Sequence, residues 1–215
     1  FLAVMGLADE FTVEMARAVT QMPDAEEMLL SLTEQNAFVT RLPDGETFRF
    51  HHMLKECAER LFARLTPEKQ DACRERYGAW YEAKQQYLHA LTAYEACKDY
   101  DAALKVIERD AGILLTSLDP AELLERLGRC PVETLKRHPF AILVLMRCMF
   151  NWRQIPKMME LKQLLLTTVA EHPKWSQEEK GSLLGECDLI LSFLMYNDIS
   201  AMSRLHRSAS AQTVS

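Results

Sequence analysis

Apolar residues recur at spacings of three and four along most of this chain, and only one stretch departs from that rhythm. Phe38, Leu42 and Phe48 flank the polar tip Pro43-Asp44-Gly45-Glu46, where Gly45 tolerates positive φ and Asp44 favours a turn, so the stretch predicts a β-hairpin. After it, Met53, Leu54, Cys57, Ala58, Leu61, Phe62 and Leu65 mark one face of a helix from about His51 to Leu65. Before it, Phe11, Met15 and Val19 with Ala16 and Ala18 predict a helix ending ahead of Pro23. Asp24 is placed to cap a second helix, which carries Ala25, Met28, Leu29 and Leu32 on one face and Glu26 and Glu27 in its first turn. Helix, helix, hairpin and helix make a winged-helix module over residues 1–66, with β structure expected only near residues 37–50.

From Thr66-Pro67-Glu68, a cap followed by proline, the pattern predicts antiparallel helix pairs. Tyr77, Trp80 and Tyr81 belong to the first helix; Leu88, Ala90, Leu91, Ala93 and Ala96 to the second; Ala102, Ala103, Val106, Ile107 and Leu114 to the third. Large residues facing small ones let such helices interdigitate. Asp119-Pro120-Ala121-Glu122 opens another short helix, and Pro131 and Pro139 bracket a connector. A repeat follows: Leu145 and Leu189, Ile155 and Ile199, Met158 and Met202, and Leu161 and Leu205 are each 44 residues apart. Asn151-Trp152 and Tyr196-Asn197 sit at matching corners, and Ser176-x-x-Glu179 is a capping box. The expected fold is mainly α: a winged helix, residues 1–66, followed by an α-solenoid of TPR-like antiparallel helix pairs, residues 67–215, truncated at its C-terminus.

Composition narrows the function classes. Hydrophobic residues make up 48% of 215 positions, enough for a core, and only 7 Gly and 8 Pro interrupt the helices. The apolar run at 140–146 is far short of the roughly 20 residues that span a bilayer. Six cysteines without a C-x-x-C pair point to buried reduced thiols in a cytoplasmic protein. In residues 1–66 six basic side chains stand against eleven acidic ones, a net −5, which lacks the basic footprint of a DNA reader. Phe1-Leu2 begins inside an apolar pattern and residues 208–215 stop without a closing partner helix, so a piece of a longer protein is expected.

Three stretches carry a resemblance to the MalT-like, LuxR-type transcriptional regulators of the STAND class of signal-transducing ATPases. Phe48-Arg49-Phe50-His51-His52-Met53-Leu54 resembles the aromatic-Arg-aromatic-His-His-Leu-Phe signature that closes the family's winged helix. Arg76-Tyr77-Gly78-Ala79-Trp80-Tyr81-Glu82-Ala83 is similar to its Ala-x-x-Trp-Tyr helix, and Ala90 with Ala96-Cys97-Lys98-Asp99-Tyr100 and Ala102-Ala103 resembles the next pair. Gln85 stands where the family usually has a turn glycine, and Ala93 where it often has histidine. The resemblance implies a nucleotide-binding domain before this region and a helix-turn-helix after it. Neither is in this sequence, which has no G-x-x-x-x-G-K-[ST] phosphate loop. No cofactor is expected in this piece, whereas ATP or ADP is implied for the full-length protein.

Candidate site residues follow from these readings. The resemblance implies that His51 senses nucleotide in the full-length protein by touching its terminal phosphate, while plain packing would put one ring of His51-His52 in the core and the other in solvent. A metal is not expected, because adjacent side chains diverge and no third ligand is spaced nearby. Catalysis is not expected either: His89, His138, His172 and His206 lack a Ser or Cys partner at any motif spacing. Met146, Met149, Met158, Met159, Met195 and Met202 read as core or as an adaptable groove. Ile199, Met202, Leu205 and Ala209 are candidates for a partner-binding edge on the repeats. Two functions remain. One is a regulatory, non-enzymatic part of an ATP-dependent LuxR-family regulator, in which a small-molecule inducer or regulatory protein binds the repeats, DNA is reached only through a missing domain, and the full-length protein can oligomerise. The other is a helical-repeat interaction scaffold with no nucleotide link.

Overall fold

The computed structural model describes residues 1–34, 38–171, 175–193 and 199–213, with the side chains of 199–202 and 212–213 outside that description. Among the described residues it holds thirteen α-helices and three strands, in two compact units, Phe1–Asp99 and Tyr100–Ser215. The mainly α class holds, and no strand falls in the described part of residues 67–213.

In unit 1 the order is α1 (Leu2–Met5), β1 (Glu10–Thr12), α2 (Val13–Thr20), α3 (Ala25–Glu34), β2 (Val39–Arg41), β3 (Thr47–Phe50), α4 (His52–Ala63), α5 (Pro67–Ala83) and α6 (Tyr87–Ala96). The hairpin forms where expected. Gly45 takes φ 74°, and the Asp44 carboxylate accepts hydrogen bonds from Glu46 N and Thr47 N at 3.0 Å and from Thr47 Oγ1 at 2.6 Å. The Thr47 hydroxyl, then the two backbone donors, hold the Asp44 carboxyl below the usual carboxylate range.

The expectation that Phe11 opens the first helix is corrected. Thr12 caps α2 by accepting from Met15 N at 3.2 Å, so the helix starts at Val13 and Phe11 lies in β1. β1 adds to the hairpin as a third antiparallel strand, in the order β1-β3-β2, with Phe11 opposite Phe48 and Val39 opposite Phe50. β structure therefore extends beyond residues 37–50. Phe11 stacks on Phe48 at 6.4 Å and meets Phe50 edge-on at 4.9 Å, and all three rings are buried.

Cys73 and Tyr77 of α5 belong to the same buried cluster, so unit 1 runs through the joint at residues 66 and 67. Tyr77 donates to Val4 O at 2.9 Å and Arg76 Nε to Val19 O at 2.6 Å. Thr66 does sit at the N-cap with Pro67 behind it, but its side chain makes no cap bond. Its hydroxyl instead helps Glu68, whose carboxyl is held low first by its own backbone N–H and then by Thr66. The large-against-small pairing of α5 and α6 is concrete at Gly78, where a Cβ would come within 2.5 Å of the Tyr94 ring.

Gln85 ends this first arm helix with φ 58°, the left-handed conformation for which glycine is the ordinary choice. Gln85→Gly is expected to stabilise unit 1 by about 0.5–1 kcal/mol, because the relief of left-handed strain exceeds the extra freedom gained by the unfolded chain. Thermal unfolding followed at Trp80 checks it; an unchanged or lower midpoint contradicts the strain.

Unit 2 contains α7 (Tyr100–Arg109), a 3-10 turn (Ile113–Ser117), α8 (Pro120–Arg129), α9 (Val132–Lys136), α10 (Pro139–Asn151), α11 (Ile155–Glu171), α12 (Gln177–Ser192) and α13 (Ile199–Thr213). Leu114 is corrected out of the third arm helix: α7 stops at Arg109, and Ala111 and Gly112 turn left-handed before the 3-10 turn. The connector between Pro131 and Pro139 holds a helix of its own, with Pro131 as N-cap of α9 and Pro139 at the start of α10. Asp119 caps α8 as expected, accepting from Ala121 N at 2.8 Å. The capping box of Ser176 and Glu179 is complete.

The 44-residue spacing corresponds to two packed pairs, α10 with α11 and α12 with α13, and α10 also packs against α12. Met146, Met149 and Met158 are fully buried, so core packing accounts for them, whereas Met159 is exposed. All six cysteines are free thiols. Burial pushes the Cys187 thiol up to about 11, while Cys57 is exposed, against the expectation of burial.

Candidate functional site

His51 occupies the joint between β3 and α4. Alternation along β3 buries Phe48 and Phe50 and turns Arg49 outward, where it pairs with Glu10. His51 follows in extended conformation, φ −60° and ψ 146°, as N-cap of α4. Its backbone is tied on both sides: His51 N donates to Phe38 O at 2.7 Å, and His51 O accepts from Lys55 N at 3.0 Å. The backbone position is thus set by the sheet and by the helix together.

The ring is not used in that frame. Its side chain makes no cap bond, and its neighbours are the Phe38 ring at 5.8 Å and the His52 ring at 4.2 Å. Both histidines are exposed, which corrects the packing reading that would bury one of them. Two things account for it: Ala58 and Phe62 face the core while His52, Met53 and Cys57 turn away from it, and His51 stands at the N-cap, ahead of the first turn and of the covered part of that face. The apolar face expected for this helix is therefore split. Ala58 and Phe62 are buried, Leu54 and Leu65 half-buried, and Met53 and Leu61 are 56% and 44% exposed.

This surface has an uncommon composition for an exposed helix start. No acidic residue occupies the first turn of α4, so its N-terminal partial charge is not offset locally. Phe38, itself 56% exposed and at φ 60°, walls one side of His51. An imidazole at such a position can donate to an anion that also meets free helix N–H groups. Lys55, one turn on, is engaged with Asp9. Among the described residues no group of three His, Cys, Asp or Glu side chains is arranged to hold a metal ion.

A second polar cluster escaped sequence reasoning. His138, read as isolated beside a proline, is buried in unit 2 with Nε2 3.0 Å from Asp101 Oδ1 and Nδ1 3.5 Å from Glu108 Oε2. Arg137 Nε donates to the same Asp101 carboxylate at 3.0 Å, and Ala141 N donates to Glu108 Oε1 at 3.2 Å. Arg137, more than His138, holds the Asp101 carboxyl down at about 2. The partners lie 30 to 37 residues away in sequence, so no local spacing marks them. The cluster ties α7 to the start of α10.

Of the edge candidates on the repeats, Leu205 is half-buried and Ala209 is buried, the latter correcting its placement on an open edge. Ser208 reaches back to Asp188 at 2.7 Å, so this part of α13 is packed on α12. The side chains of Ile199 and Met202, and the Tyr196-Asn197 corner, lie outside the described residues.

Comparison with known families decides what the first module is, since residues 1–70 match the family described as MalT winged helix domain. The N-terminal module is thus similar to MalT winged helix domains. MalT-like similarity continues beyond it. The chain is 24% identical over 200 residues to the HTH-type transcriptional regulator MalT of Vibrio parahaemolyticus, covering 92% of this chain and 22% of the relative. It is 25% identical over 204 residues to the MalT regulator of Vibrio campbellii, with the same coverage. The chain thus spans about a fifth of the length of the curated relatives it matches. No solved structure matches it. MalT similarity agrees with the strand-to-helix signature at Phe48–Leu54 that anchors the module. Among the described residues no helix is long and apolar enough to cross a membrane.

Proposed function

We propose that this chain is the winged helix and the start of a TPR-like sensor arm of an ATP-dependent, LuxR-type transcriptional regulator of the STAND class, working in the cytoplasm and without catalytic activity of its own. The observation that carries the proposal is the MalT winged helix match joined to MalT similarity over 92% of the chain. In this reading His51 contacts the terminal phosphate of a nucleotide held by another domain. Its support is geometric: an exposed ring beside a helix start without a first-turn acid, on a backbone held by two hydrogen bonds.

The same reading separates the winged helix from DNA. With a net charge of −5 over residues 1–66, the module would repel a duplex, so DNA contact is assigned to a domain elsewhere in the protein. Inducer or regulatory protein binding falls to the helical arm. Because Arg76 and Tyr77 of α5 are bonded to the backbone of α2 and of α1, movement of α5 carries the winged helix with it. That is a physical route from the arm to the nucleotide.

His51→Ala in the full-length protein is expected to loosen the ADP-bound resting state and raise inducer-independent transcription several-fold, a loss of roughly 1–2 kcal/mol for one hydrogen bond to a charged group. A promoter-reporter assay without inducer measures it. Basal expression equal to that of the parent protein would remove His51 from nucleotide sensing, and the MalT relationship of the module would stand unaffected.

A further inference from the structure

A cleft of about 270 Å³ lies in unit 2 where α10 meets α12, the first helices of the two repeated pairs. Its lining is mostly apolar: Val144 and Phe150 from α10 with Leu189 and Ile190 from α12, and Phe193, whose ring lies 6.3 Å from that of Phe150. Three polar side chains reach the same space, Arg147 and Asn151 from α10 and Glu186 from α12. An apolar slot with a few convergent polar groups is the usual form of a small-molecule site, and its volume falls just below the range usual for drug-sized ligands, which suits a smaller guest.

The charges identify the ligand class. Arg147 Nη2 donates to Ala111 O at 2.6 Å, which steadies the guanidinium and leaves its other N–H groups for the cleft. Glu186 is exposed and forms no ion pair with Arg147 or with any other described residue. A cation and an anion border one apolar slot without neutralising each other. A purely apolar guest would leave both unanswered, and a guest with one charge would answer one and face the other. A guest with an apolar body and both charges satisfies all of them.

We infer that the cleft between α10 and α12 binds a small zwitterion with a large apolar side chain, an aromatic or branched α-amino acid, with its carboxylate on Arg147 and Asn151 and its ammonium on Glu186. The inference does not depend on nucleotide sensing at His51. It names an effector class for the helical arm of the proposed regulator.

Titration calorimetry on the 215-residue chain tests it with three probes of one shape: L-phenylalanine, 3-phenylpropionate, which lacks the ammonium, and phenethylamine, which lacks the carboxylate. L-phenylalanine is expected to bind about tenfold or more tightly than either, the size of one charge-assisted hydrogen bond. Glu186→Gln, an exposed change that leaves the core alone, is expected to bring L-phenylalanine and 3-phenylpropionate to within about twofold of each other. Leu189→Trp, which fills the slot, is expected to abolish binding. No heat with any probe, equal binding of 3-phenylpropionate and L-phenylalanine to the parent chain, or undiminished binding to Leu189→Trp each overturns the assignment. None of these results bears on His51, so failure here is distinct from failure of the regulatory reading.

Discussion

Phe11→Ala is expected to destabilise unit 1 by about 3–5 kcal/mol, a large part of the roughly 5–15 kcal/mol that holds a domain together. Phe11 is 2% exposed, stacks on Phe48 and meets Phe50 edge-on, so truncation removes its own burial and leaves a cavity between two other rings. It also takes the central side chain out of β1, whose three residues pair with β3 and have little else to keep them there. The measurement must isolate unit 1, because a chain of two compact units need not unfold in one step. Trp80 is the one tryptophan in Phe1–Asp99, so a Trp152→Phe, Trp175→Phe background makes its fluorescence a reporter for that unit. An unfolding free energy from urea titration within about 0.5 kcal/mol of the parent would show that the Phe11 side chain contributes nothing to the module.

Gly112→Ala is expected to cost unit 2 about 2–5 kcal/mol, from two sources that add. Gly112 has φ 78°, where a Cβ costs about 1–2 kcal/mol, and an added Cβ would lie 2.3 Å from Val144 Cγ1, where overpacking costs about 1–3 kcal/mol. Val144 is β-branched and cannot simply rotate away within a helix. Gly45→Ala is the control: φ is 74° there, but nothing stands within 4 Å of the added carbon, so only the conformational part, about 1 kcal/mol, is expected. Unfolding monitored at Trp152 for Gly112→Ala and at Trp80 for Gly45→Ala gives the comparison. Equal losses at the two sites would mean that the contact with Val144 relaxes without cost.

The two glycines also show where sequence reading reaches its limit. Gly45 sits between Asp44 and Glu46 in a hairpin tip, and its role follows from its neighbours alone. Gly112 is needed because of a side chain 32 positions later, which no local pattern contains. His138 repeats the lesson with charge in place of volume, since Asp101 and Glu108 reach it only after α7 and α10 pack.

What the sequence alone determined is what depends on neighbours within a few residues. The hairpin, the cap at Asp119, the capping box at Ser176 and Glu179, and most helix positions rest on interactions three or four residues apart. The 44-residue repeat was legible because packing one pair on the next demands the same apolar positions twice. Tertiary structure decided the rest. Phe11 fits a helical pattern with Met15 and Val19, and its place in a strand exists only because β3 offers it an open edge. The face of α4 that turns outward, and with it the exposure of His52, was likewise set by which residues the sheet and α1 could cover, and His51 is exposed because that cover stops short of the N-cap. A periodic apolar pattern tells how a helix can be buried on one side, but not how wide a surface its neighbours have to cover it with.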